Sequence, residues 1–263
     1  MSIRNVKISP YLSIFGITLL FLFLSGILMF ITYDLEENTI KHSIQIISLV
    51  VYVAITYYIS KFYFNKINLN PPKLIGINFS LIIAILIGIL FALIIEFPYR
   101  IYATIKTGDF VYLFLAFKIE NLIQALGAGI FEEITFRGTL LNFFNQKNKK
   151  YLGLIISSLI FGLIHISNAF VGTEVTFIYV IYIIIYGFLF GLIYLNFGLI
   201  ASITTHVVGN FLIGGFTIPN RTGGYYILAT IVILCVWLFL RDKRKQSHKS
   251  TKANNVYNLK TDE

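Results

Sequence analysis

Two carboxylates, a guanidinium, two imidazoles and a carboxamide stand in three short blocks of otherwise apolar sequence. They are Glu132, Glu133 and Arg137 in FEEITFRG, His165 in FGLIHIS, and His206 with Asn210 in HVVGNFL. A charged group at bilayer depth is costly and persists by facing a protein interior or a watery cavity. Three such blocks on three helices therefore point to one shared polar site. A carboxylate beside an imidazole can hold and deprotonate a water, and either group can later protonate a leaving amine. An imidazole and a carboxamide can donate hydrogen bonds to a developing oxyanion. Together these are the parts for peptide hydrolysis by activated water. The alternative is a zinc site with Glu133, His165 and His206 as ligands and a water at the open position. The chain has no HExxH, which excludes the zincin arrangement, and no Gly-x-Ser-x-Gly. Cys235 lies far along the chain from both histidines, so no Cys–His pair argues for a covalent nucleophile.

Positions four apart share a helix face. Glu133 and Arg137, Phe161 and His165, and His206 and Asn210 are so spaced. At 1.5 Å per residue, Glu132 and Glu133 lie roughly 18–20 Å from the cytoplasmic membrane surface, His165 roughly 21 Å, and His206 and Asn210 roughly 12 and 18 Å. The depths overlap near the bilayer centre. Any block alone reads more often as a packing or gating ion pair, or a satisfied core histidine, than as a catalytic group; the combination favours a site. Gly127, Gly129, Gly138, Gly162, Gly209, Gly214 and Gly215 accompany the blocks and would let helices approach closely or leave room for a cavity.

The elements that must position these groups are membrane spans. Of 263 residues, 57% are hydrophobic and 13% charged, against about a quarter charged in soluble domains. Apolar stretches long enough to cross a bilayer run over about 11–33, 43–64, 74–96, 119–143, 151–170, 175–196, 198–215 and 225–240. The predicted fold class is all-α, a polytopic membrane protein with about eight transmembrane helices. The first apolar run is too long for a signal sequence and lacks a cleavage site, so it reads as a retained span. Residues 100–120 mix charge with apolar side chains and suggest an interfacial segment.

With eight spans, fifteen Lys and Arg residues fall on one side and five on the other, with Arg137 within the membrane. This asymmetry predicts a multi-pass plasma-membrane protein with both termini in the cytoplasm. The net charge of +9 belongs to loops and tail, and sets topology rather than marking a nucleic-acid partner. The expected organisation is residues 1–118 as N-terminal spans with the interfacial segment, 119–215 as the catalytic core, 216–240 as the last span, and 241–263 as a basic disordered cytoplasmic tail that flanks the membrane.

The ordered motifs Glu132-Glu133-x3-Arg137, Phe161-x3-His165 and His206-x3-Asn210 resemble the signature of the CPBP family, the CAAX proteases and bacteriocin-processing enzymes also called Abi. The type II CAAX prenyl endopeptidases belong to it. The resemblance covers about residues 119–215, with no departure at the motif positions. It implies an intramembrane endopeptidase in which Glu132 and His165 activate water, His206 and Asn210 stabilise the oxyanion, and Glu133 and Arg137 hold the geometry or assist the base. Which glutamate is the base stays open. Members of the family are described both as metalloproteases and as zinc-free glutamate enzymes; the His–Asn pair suits an oxyanion hole, which favours the zinc-free reading.

The implied partners are membrane lipid and a peptide or protein precursor as substrate, such as a bacteriocin or pheromone precursor. Two other classes compete. A non-catalytic immunity or scaffold protein has no reason to keep six costly polar groups. A proton-coupled transporter would be expected to show internal repeats, and none is found in the sequence.

Overall fold

The computed structural model describes residues 9–33, 39–72, 80–108, 119–171, 175–214 and 221–261. Among these residues there is no strand. Helices α1 (Pro10–Tyr33), α2 (Thr39–Lys66) and α3 (Leu81–Thr107) lead to α4 (Ile119–Glu133). α4 passes directly into a π-helical segment (Ile134–Leu141) and then α5 (Asn142–Gln146). α6 (Lys150–Ile164) ends in a 3-10 segment (His165–Val171), followed by α7 (Phe177–Phe197), α8 (Leu199–Gly214) and α9 (Arg221–Thr261).

Among the described residues, each expected span overlaps a helix. Five helical stretches among the described residues are long and apolar enough to cross a membrane: Ile40–Lys66, Leu81–Thr107, Lys150–Asn168, Phe177–Phe197 and Tyr225–Lys245. Pro10–Leu24 and Leu199–Leu212 are apolar but shorter. Large aliphatic side chains such as Leu86, Ile155 and Ile233 point outward and are more than half, or half, exposed (58%, 50% and 68%). Such surface suits lipid, where helices satisfy their own backbone groups. The chain is an all-α polytopic membrane protein.

The short helix α8 is enclosed by protein, packed on α3, α4 and α7. Two glycines make this possible by letting backbones approach. A Cβ on Gly129 of α4 would stand 2.6 Å from Val207 Cγ2, and one on Gly88 of α3 would stand 2.5 Å from Thr204 Cβ. Gly198 alone links α7 to α8, at φ 94°, a left-handed conformation that glycine adopts without strain. The π-helical segment is likewise inside: every residue from Thr135 to Leu141 is buried.

Three boundaries differ from expectation. The third span does not end at residue 96; α3 runs to Thr107 and closes on Gly108 at φ 72°. Pro98 lies inside it, and the buried Glu96 and Arg100 keep the extra turns in contact with the bundle. Tyr186 OH donates to Glu96 (3.1 Å), and Arg100 Nη2 donates to the Leu212 carbonyl. The expected interfacial segment therefore begins as helix, and its residues 109–118 lie outside the described residues. The tail expected to be disordered from residue 241 instead continues α9 to Thr261. Its first turn is tied down, because Asp242 accepts from Lys150 Nζ (2.5 Å) and Tyr151 OH (2.9 Å).

Candidate active site

The last residues of α4 carry Glu132 and Glu133, whose side chains diverge. Glu133 is fully buried and is bonded by three side chains. Its Oε1 accepts from Arg137 Nη1 at 2.9 Å and lies 3.0 Å from His206 Nδ1. Its Oε2 lies 2.5 Å from Ser202 Oγ, whose single proton can also reach the Phe190 carbonyl at 3.0 Å. Arg137 is fully buried as well; its Nη2 donates to the Gly187 carbonyl at 2.7 Å. The guanidinium carbon stands 4.5 Å from the Phe161 ring centroid and 5.6 Å from that of Phe190. This is the fork-and-stack use for which arginine is suited. Gly187 admits this contact: a Cβ there would stand 2.9 Å from Phe161 Cδ1 and 3.4 Å from Arg137 Nη2.

Glu132 faces a different group. Its Oε2 is buried and has no hydrogen-bond partner among the described residues. It lies 3.8 Å from His165 Nε2 and 3.8 Å from His206 Nε2. The ring tautomers follow from the opposite nitrogens. His165 Nδ1 sits 2.7 Å from the Phe161 carbonyl, which can only accept, so Nδ1 carries the proton. His206 Nδ1 sits against the Glu133 carboxylate, so it too carries one. In the neutral rings both Nε2 atoms then point lone pairs toward Glu132. Phe190 stacks on His206 at 4.5 Å and 19°, and Phe161 lies 4.8 Å from the His165 ring, so both imidazoles are held in orientation.

The structure brings Glu132, Glu133, Arg137, His165 and His206 together. Asn210 stands one turn beyond His206 on α8, half-buried, with no hydrogen bond to the others among the described residues. Three partners were not found from sequence. Ser202 is one turn before His206, on the same face of α8, and that spacing was the available signal. Phe190 is hidden in the continuous apolar run of α7. Tyr52 of α2 places its hydroxyl 2.7 Å from Thr135 Oγ1 and 3.3 Å from the Phe131 carbonyl, the residue next to Glu132. No sequence spacing links it to α4.

The zinc set Glu133, His165 and His206 does not fit this geometry. Glu133 meets the Nδ1 edge of His206, and its oxygens are taken by Arg137 and Ser202. The free Nε2 edges of both histidines face Glu132 instead. Among the described residues no group of three His, Cys, Asp or Glu side chains is arranged to hold a metal ion.

Residues 114–212 match the family model for type II CAAX prenyl endopeptidase Rce1-like proteins. This agrees with the resemblance carried by the three motifs, and the matched segment contains all six polar residues. No curated protein and no solved structure matches the chain.

Proposed function

We propose that this membrane protein, whose central segment is similar to type II CAAX prenyl endopeptidases, is an intramembrane endopeptidase that hydrolyses a membrane-associated peptide or protein precursor. The observation that carries the reading is the environment of Glu132. A buried carboxylate oxygen without a donor stands 3.8 Å from two imidazole nitrogens that present lone pairs. Three acceptors cannot satisfy one another, and the gaps are too long for direct hydrogen bonds. A water held among them can donate to two of the three, which polarises its oxygen toward attack.

Glu132 is the general base in this scheme, and Glu133 is not. Glu132 takes a proton from the water as its oxygen bonds to the scissile carbonyl carbon. In the reacting state His206 carries protons on both nitrogens, so the water donates to Glu132 and His165, and the oxyanion formed is met by Asn210 and by the His206 Nε2–H. The Glu133 carboxylate at Nδ1 supports that imidazolium, and Arg137 balances Glu133. The C–N bond then breaks, and the proton held by Glu132 passes to the leaving amine. His165 fixes the water from the second side. Residues 119–215 form the catalytic core, and the lysine and arginine asymmetry supports a plasma-membrane protein with both termini cytoplasmic.

The test is a cleavage assay with the purified full chain in nanodiscs, a panel of membrane-associated precursor peptides, and Glu132→Gln as the control. Site-specific cleavage lost in the variant supports the assignment. Equal cleavage by the variant overturns it.

A further inference from the structure

Beside the end of α7, Trp237, Leu240, Arg241, Arg244 and Lys245 of α9 line an open groove of about 410 Å³. Arg241, Arg244 and Lys245 are three and four positions apart and share a face. The nearby acid does not join them: Asp242 is 6% exposed and turned to Lys150 and Tyr151. Lys243 also points away, 4.9 Å from the Tyr151 ring centroid. The lining is therefore three cations with no carboxylate. Two of the cations are held by the end of α7. The Arg241 guanidinium carbon stands 4.5 Å from the Phe197 centroid and 5.6 Å from that of Trp237. Lys245 Nζ donates to Asn196 Oδ1 at 3.4 Å. Beneath them, within the membrane-length stretch Tyr225–Lys245, Trp237 and Leu240 are 49% and 50% exposed.

We infer that this groove binds one anionic phospholipid, its phosphate on Arg241, Arg244 and Lys245 and an acyl chain along Trp237 and Leu240. A plain basic flank would scatter its cations and leave its acid among them. Here the acid is withdrawn, two cations are fixed, and the positive rim lies directly above an apolar wall. That layout matches a lipid rather than a free phosphate, which would use the rim but not the wall.

Trp237 is the only tryptophan in the chain, so its fluorescence reports on lipid contact at this one position. The full chain is reconstituted in phosphatidylcholine vesicles containing either phosphatidylglycerol or phosphatidylcholine with brominated acyl chains, which quench by contact. Brominated phosphatidylglycerol should quench at a roughly tenfold lower mole fraction than brominated phosphatidylcholine, given three cations near the membrane surface. Unlabelled phosphatidylglycerol should reverse the quenching, whereas inorganic phosphate should not. The preference should vanish in R244Q/K245Q, with the helical circular-dichroism spectrum intact as the check on folding, and weaken in high salt for the wild type. Equal quenching by the two lipids, reversal by inorganic phosphate, or a preference that survives both the variant and salt would overturn the inference. None of these readouts depends on proteolysis.

Discussion

Adjacent glutamates with opposite environments make separable predictions. Glu132→Gln keeps shape and removes a base, so cleavage should fall by at least about a hundredfold, while thermal unfolding of the purified protein stays near wild type. Glu133→Gln leaves the fully buried Arg137 without its counter-charge. Losing one partner of a buried pair costs about 3–5 kcal/mol, so this variant should unfold at markedly lower temperature and accumulate poorly. If the two variants exchanged these phenotypes, the roles given to the carboxylates would be reversed. Tyr52→Phe should lower turnover more than it raises KM, because the lost hydroxyl contacts the Phe131 carbonyl and Thr135 rather than any position a substrate would occupy. The polar blocks were legible because glutamate, arginine and histidine are costly in apolar helices. Ser202 was not, because membrane-helix hydroxyls commonly bond their own preceding turn, as Ser158 does to Leu154 and Thr205 to Ala201.

At the scale of elements, the spacing of α4 from α8 sets where Glu132 stands relative to His206. Gly129→Ala would press a methyl onto Val207. Overpacking of this kind costs about 1–3 kcal/mol, so thermal stability and cleavage should fall together. Val207→Ala removes the nearest contacting atom and should restore part of both; a double variant no better than the single one would show that this contact does not set the spacing. The helices themselves were legible from apolar length. The π-helical segment was not, because Thr135 to Leu141 are all buried and no polar side marks the turn. The reach of α3 beyond Pro98 was hidden for a related reason. Glu96 reads as the end of a span and Arg100 as the start of an interfacial flank until Tyr186 and the Leu212 carbonyl are seen to receive them.

Across the whole molecule, the unequal share of lysine and arginine predicts that the N-terminus, the 147–150 loop and the C-terminus lie on one face of the membrane. Replacing Cys235, the only cysteine, and placing single cysteines at these three places should give one common pattern with a membrane-impermeant maleimide. Labelling of one place from the opposite side would refute the eight-span topology. The fate of the tail was not legible, because its basic composition describes a solvated flank equally well as a helix; Asp242 bonded to Lys150 and Tyr151 decides the first turn. The most direct measurement of the central claim is cleavage of a membrane-associated precursor peptide by the wild-type protein in nanodiscs, beside Glu132→Gln and beside wild type with a zinc chelator. The account predicts cleavage at one site by wild type, unchanged by the chelator and lost in Glu132→Gln. Cleavage retained in Glu132→Gln, or abolished by the chelator and restored by zinc, would contradict it.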